Sequence, residues 1–111
     1  MPAAAADGMP RRIGLGWERG VAIARKLLIS GTVQGVGFRY FTQRSAAKHQ
    51  VRGYVRNLPD GRVEAWVQGS ESSVAAFTND VAAGPRFSKV TDIEELVVEP
   101  TNEYSTFRIE R

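Results

Sequence analysis

From Ala24 to Thr32 apolar residues recur at alternate positions, with Leu27, Ile29 and then Val33 on one side, which is the period of a strand with one buried face. The period then changes. Phe38, Phe41, Thr42, Ser45, Ala46 and His49 recur at three- and four-residue steps, predicting a helix that buries two phenylalanines and leaves Arg44 and Lys48 in water. This helix is expected to end near Gln50, before the β-branched Val51. Alternation resumes with Val51, Gly53, Val55 and Asn57 inward against Arg52, Tyr54 and Arg56. It continues with Val63, Ala65 and Val67 inward against Arg62, Glu64, Trp66 and Gln68. Both inward sets are odd-numbered, so the two strands pair with matching faces only through a loop with an odd number of residues. In Leu58-Pro-Asp-Gly61 the three residues after Leu58 meet that demand, as a type I turn with Pro59 and Asp60 central and Gly61 left-handed.

A second helix is predicted after Gly69, with Ser70 as N-cap and Val74, Phe77 and Val81 on its apolar stripe. Gly84-Pro85 ends it, because glycine accepts the left-handed cap and proline cannot continue the ladder. A fourth strand is expected from Lys89 to Glu99, and a short last one from Ser105 to Arg111, where Phe107 and Ile109 alternate with charged residues. The order β-α-β-β-α-β plus a terminal strand predicts an α+β, ferredoxin-like sandwich: an antiparallel sheet with both helices on one face. Right-handed crossovers place the first and third strands side by side at its centre. Such a fold carries many activities and selects none.

Length limits the chain to one domain, since 111 residues with 42% apolar content support a single core. Residues 1–22 differ from the rest, with an alanine run, scattered glycines and no sustained period, and are expected to be a disordered extension to a domain spanning 23–111. The absence of cysteine removes disulfides, thiolate nucleophiles and cysteine-held metals, and the single histidine argues against a zinc site. No apolar run is long enough to span a bilayer or to serve as a secretory signal, so a soluble, cytoplasmic protein is expected. The net charge of +3 agrees with anionic ligands of any size, but acids and bases are interspersed as on an ordinary solvated surface.

The densest chemical signal is Gly31-Thr-Val-Gln-Gly-Val-Gly-Phe-Arg39, a glycine-framed loop that ends on an arginine at the predicted start of the first helix. Consecutive N–H groups at such a junction can converge on phosphate oxygens, and Arg39 adds a planar, permanently charged fork. Glycines also serve ordinary turns, so this spacing leaves both readings open. As a surface residue Arg39 is hard to explain, because a cation at a helix start opposes the dipole. Asn57, from its position alone, is equally a turn residue ahead of Pro59. His49, near a helix C-terminus, reads as structural or solvent-facing. Tyr54 and Trp66 lie on the sheet face away from the helices, where they could stack on a ligand or a base, and cross-strand packing is the favoured reading.

The loop, taken with Gly53-Tyr-Val-Arg-Asn-Leu-Pro-Asp-Gly-Arg-Val-Glu64, resembles the acylphosphatase family, whose signatures are a G-x-V-Q-G-V-G-F-R loop and a G-x-V-x-N strand before a glycine hairpin. The resemblance runs from about Lys26 to the C-terminal residues. It implies hydrolysis of acyl phosphates to carboxylate and inorganic phosphate, without metal or cofactor. The implied donors to phosphate are the main-chain N–H groups of Gln34, Gly35, Val36, Gly37 and Phe38 together with the guanidinium of Arg39. Asn57 is implied to orient the attacking water. The chemistry suits these residues: a carboxylate leaving group, its conjugate acid near pKa ~4, departs without protonation. What remains is to hold the phosphoryl group and a water in line and to stabilise equatorial oxygens, a task worth about 3 to 4 kcal/mol per well-placed donor.

The expected partners are a small-molecule acyl phosphate and inorganic phosphate as product or inhibitor, with the protein acting as a monomer and without nucleic acid or membrane. An RNA-binding reading arises because Gly35-Val-Gly-Phe-Arg-Tyr-Phe41 resembles part of an RNP1 motif. RNP1 belongs on a third strand, whereas this run follows the first. A closer rival is an acylphosphatase-like module of a larger maturation machine, against which this chain shows no additional domain.

Overall fold

Leu27, Ile29, Val55, Val63, Ala65 and Val67, the residues that alternation assigns to one side of their strands, are all fully buried. The computed structural model describes residues 22–111, and the expected N-terminal extension lies outside them apart from Ala22. Its elements are β1 (Ala22–Thr32), α1 (Phe38–His49), β2 (Arg52–Asn57), β3 (Val63–Ser70), α2 (Glu71–Ala83), β4 (Lys89–Val98) and β5 (Phe107–Glu110). β1 therefore begins two residues before the expected Ala24, and the last strand is shorter than expected.

The sheet order is β4-β1-β3-β2-β5, with β1 and β3 adjacent at the centre. β1 to β4 form antiparallel neighbours, while β5 joins β2 in parallel, so the sheet is mixed rather than wholly antiparallel. A parallel pair needs a crossover, and here the chain passes from β4 across the sheet before adding β5 beside β2. In the β2–β3 hairpin Gly53 faces Val67, Val55 faces Ala65 and Asn57 faces Val63, the pairing that equal parity requires. Leu58 N–H donates to the Arg62 carbonyl at 2.8 Å and Gly61 N–H to the Leu58 carbonyl at 3.2 Å, closing the odd-numbered loop.

Both helices lie on the face that these residues line. α1 buries Phe38, Thr42, Ser45 and Ala46, and α2 buries Val74, Phe77 and Val81; Phe41 is only half-buried. Asp80 joins the two helices: one of its carboxylate oxygens accepts from Ser45 Oγ and pairs with His49 Nε2, each at 2.8 Å. The bond from Ser45 and then that with His49 hold the Asp80 carboxyl below the usual carboxylate range. Ser70 caps α2, its hydroxyl accepting from Ser73 N–H at 3.2 Å.

The other sheet face is not left to solvent. Glu64, Trp66 and Gln68, outward by parity, are buried, and the β4–β5 connection packs on Trp66 and Gln68. Thr101 N–H donates to Gln68 Oε1 at 2.9 Å, and the Tyr104 ring packs 5.1 Å from Trp66 and 5.8 Å from Tyr54. Glu64 accepts from Arg56 Nε at 2.6 Å and Tyr54 Oη at 3.1 Å, and pairs with Lys26 Nζ at 3.4 Å. Burial raises the Glu64 carboxyl, yet the bonds from Arg56 and Tyr54 outweigh it and leave a net depression.

Candidate active site

At residues 33–37 the chain leaves β1 and turns into α1 without forming regular structure. Gly37 is the N-cap of α1 at φ 75°, and neither a capping side chain nor an acidic residue stands in the first turn. The first intrahelical bond runs from Phe41 N–H to the Gly37 carbonyl at 3.0 Å, so the preceding N–H groups have no partner inside the helix. A bare, positive helix end of this kind favours an anion.

The glycines of the loop divide by surroundings. Gly31 (φ 127°) sits where the β1–β4 register shifts, and a Cβ there would run into the main chain at Lys89. It serves close strand approach. Gly35 and Gly37, both at φ 75°, would place a Cβ in open space.

That space is a cleft of about 200 Å³ lined by Val33, Gly35, Gly37, Phe38, Arg39, Tyr40, Asn57 and Ile109. Of the residues singled out from sequence, Gly35, Gly37, Phe38, Arg39 and Asn57 meet here. Parity brings Asn57 in: it follows Val55 by two residues and so projects on the helix side, at the end of β2. Arg39 is held across the cleft by β5, Nη1 donating to the Glu110 carbonyl at 3.3 Å. One turn on, Gln43 Nε2 donates to the Phe107 carbonyl at 3.3 Å, so α1 grips β5 twice.

Gln34 and Val36 do not line the cleft. Val36 packs against the core. The Gln34 amide donates to the Leu58 carbonyl at 2.8 Å and the Arg62 carbonyl at 2.9 Å, tying the loop to the hairpin that carries Asn57. Sequence reasoning passed over this anchor and over Val33, Tyr40 and Ile109 as cleft walls. The signal for Ile109 was present: it shares its side of β5 with the buried Phe107, and it pairs with Val55. The Gly35–Phe41 run that resembles RNP1 lies on the loop and α1, with Phe38 in the core. Among the described residues, no group of three or more His, Asp or Glu side chains is placed to hold a metal ion, and no helix is long and apolar enough to cross a membrane.

Fold and cleft together define a ferredoxin-like α+β domain in which a glycine loop, an arginine and a strand-end asparagine converge. Comparison with known proteins agrees on the fold. The family model described as Acylphosphatase matches residues 25–109. An acylphosphatase of Bacillus licheniformis is 46% identical over 83 residues, covering 75% of this chain and 89% of that one. An acylphosphatase of Archaeoglobus fulgidus is 44% identical over 87 residues, covering 78% and 97%. The crystal structure of acylphosphatase from Bacillus subtilis superposes with a TM-score of 0.77 at 39% identity, covering 80% of this chain and 99% of that one. The chain belongs to the acylphosphatase family.

Proposed function

We propose that the N–H groups of residues 34–38 and the Arg39 guanidinium hold the phosphoryl group of an acyl phosphate while Asn57 orients the attacking water. The enzyme hydrolyses the carboxyl–phosphate anhydride of acyl phosphates. The observation that carries the residue roles is the single cleft shared by the bare N-terminus of α1, Arg39 and Asn57. A phosphoryl group seated on the helix end meets N–H dipoles and a guanidinium fork, whose hydrogen bonds strengthen as charge spreads over the equatorial oxygens. The Asn57 amide offers a carbonyl acceptor and an N–H donor, enough to align water without acting as a base. Water attacks phosphorus, the bond to the bridging oxygen breaks, and the carboxylate leaves with that electron pair. The water's protons pass to the phosphate and to solvent.

The reading extends to a cytoplasmic monomer, in keeping with a chain free of cysteine, with inorganic phosphate as product and inhibitor. Benzoyl phosphate hydrolysis with a chelator present tests the roles. Turnover continues in the parent. Arg39→Ala loses about a thousandfold in kcat/KM and is inhibited more weakly by phosphate. Asn57→Ala loses kcat by about a hundredfold or more while phosphate inhibition persists. Retained turnover in both variants would overturn the assignments.

A further inference from the structure

Two of the cleft's walls are large side chains outside the proposed set of phosphate donors. Tyr40 is 61% exposed and Ile109 38% exposed, two large apolar side chains left open to water beside the proposed phosphate seat. They come from different elements. Tyr40 follows Arg39 in the first turn of α1, about 100° further round the helix, and Ile109 stands on β5 next to the Glu110 carbonyl that holds Arg39. The Arg44 guanidinium lies 5.7 Å from the centre of the Tyr40 ring, within cation–π range, and steadies the ring from one helical turn below. Exposed apolar groups that gather at a cleft mark a binding surface, because a ligand that covers them removes their contact with water.

In an acyl phosphate only the bridging oxygen and the carbonyl carbon separate phosphorus from the acyl substituent. A substrate anchored by its phosphoryl group therefore carries that substituent out at the rim of the seat, where Tyr40 and Ile109 stand.

We infer that Tyr40 and Ile109 form the acyl subsite, which selects acyl phosphates with an aryl or bulky aliphatic substituent over small ones; the inference rests on the phosphate seat proposed above. An aromatic ring and a branched aliphatic side chain offer flat and convex apolar faces to an aryl group, with which Tyr40 makes an aromatic pair. An acetyl group is too small to cover either face, so it gains less from the subsite.

The test compares kcat/KM for benzoyl phosphate and acetyl phosphate in the parent, Tyr40→Ala, Tyr40→Phe and Ile109→Ala. The benzoyl-to-acetyl ratio is expected to fall about tenfold in Tyr40→Ala, severalfold in Ile109→Ala, and to stay near the parent's in Tyr40→Phe, which keeps the apolar ring. The ratio is the readout, because a general loosening of the site lowers both substrates together. A ratio unchanged in Tyr40→Ala, or equal losses on both substrates, would overturn the subsite. A parent that turns over neither substrate would instead sink the phosphate-seat reading, so the two failures are distinct.

Discussion

Three residues of the loop carry different burdens, and their variants should separate them. At Gly31 a methyl group has no room beside the main chain of β4, so Gly31→Ala is expected to cost on the order of 3 kcal/mol and to lower Tm by roughly 15 °C. At Gly37 the added methyl meets no protein atom. Gly37→Ala should cost only about 1 kcal/mol of left-handed strain, roughly 5 °C in Tm, while weakening phosphate inhibition, because it alters the N-cap of the proposed seat. Thermal melts beside phosphate inhibition constants check both. Gln34→Ala removes the two bonds that fix the loop to the hairpin. The Leu58 and Arg62 carbonyls keep their hairpin bonds, so stability should fall by only about 1 kcal/mol. The loop loses its fixed geometry, and KM for benzoyl phosphate should rise about fivefold.

Between elements, the contact of α1 with β5 decides whether the cleft has a far wall. Phe107 anchors that strand, its ring 5.5 Å from Phe77 in the core. Phe107→Ala is expected to cost about 3 kcal/mol and, by loosening β5, to release the Glu110 carbonyl from Arg39 and withdraw Ile109. Its kcat/KM should fall even at temperatures where circular dichroism shows the variant folded. A variant equally destabilised on the far side of the sheet should keep its activity. The elements themselves were legible: the change of period at Phe38, the Gly84-Pro85 stop and the odd-numbered hairpin loop each obey local rules. The direction of β5 was not, since a short alternating strand pairs equally well either way until the rest of the sheet leaves one edge for it.

For the molecule as a whole, two carboxylates on opposite sides of the sheet, each held by other side chains, make stability depend on pH. Glu64, with a side chain only 4% exposed, sits on one side, and Asp80, which joins the helices, lies on the other. Both are held below their ordinary values. Their contribution is therefore fully present above the unfolded carboxylate range, roughly pH 4, and is lost as pH falls through the depressed folded values. Tm should fall steeply on acidification below about pH 4. Glu64→Gln should flatten that limb and cost about 2 kcal/mol at neutral pH, less than for a fully buried pair because Arg56 and Lys26 remain partly in water. Melts across pH 2 to 7 for parent and variant, a range set by those carboxylates, check both statements.

Periodicity, turn chemistry and parity are local, and they sufficed to settle the order of elements, the inward residues of the central strands, the glycine loop and the helix-side position of Asn57. The meeting of Arg39 with Asn57, the tie from Gln34 to the hairpin, the walls supplied by Tyr40 and Ile109 and the packing of Trp66 against Tyr104 were settled by assembly. Each depends on which distant segments the closed sheet brings together. Side-chain alternation gives the face a residue takes but not the neighbour it finds there, and that neighbour turns a loop, a strand end and a terminal strand into one cleft.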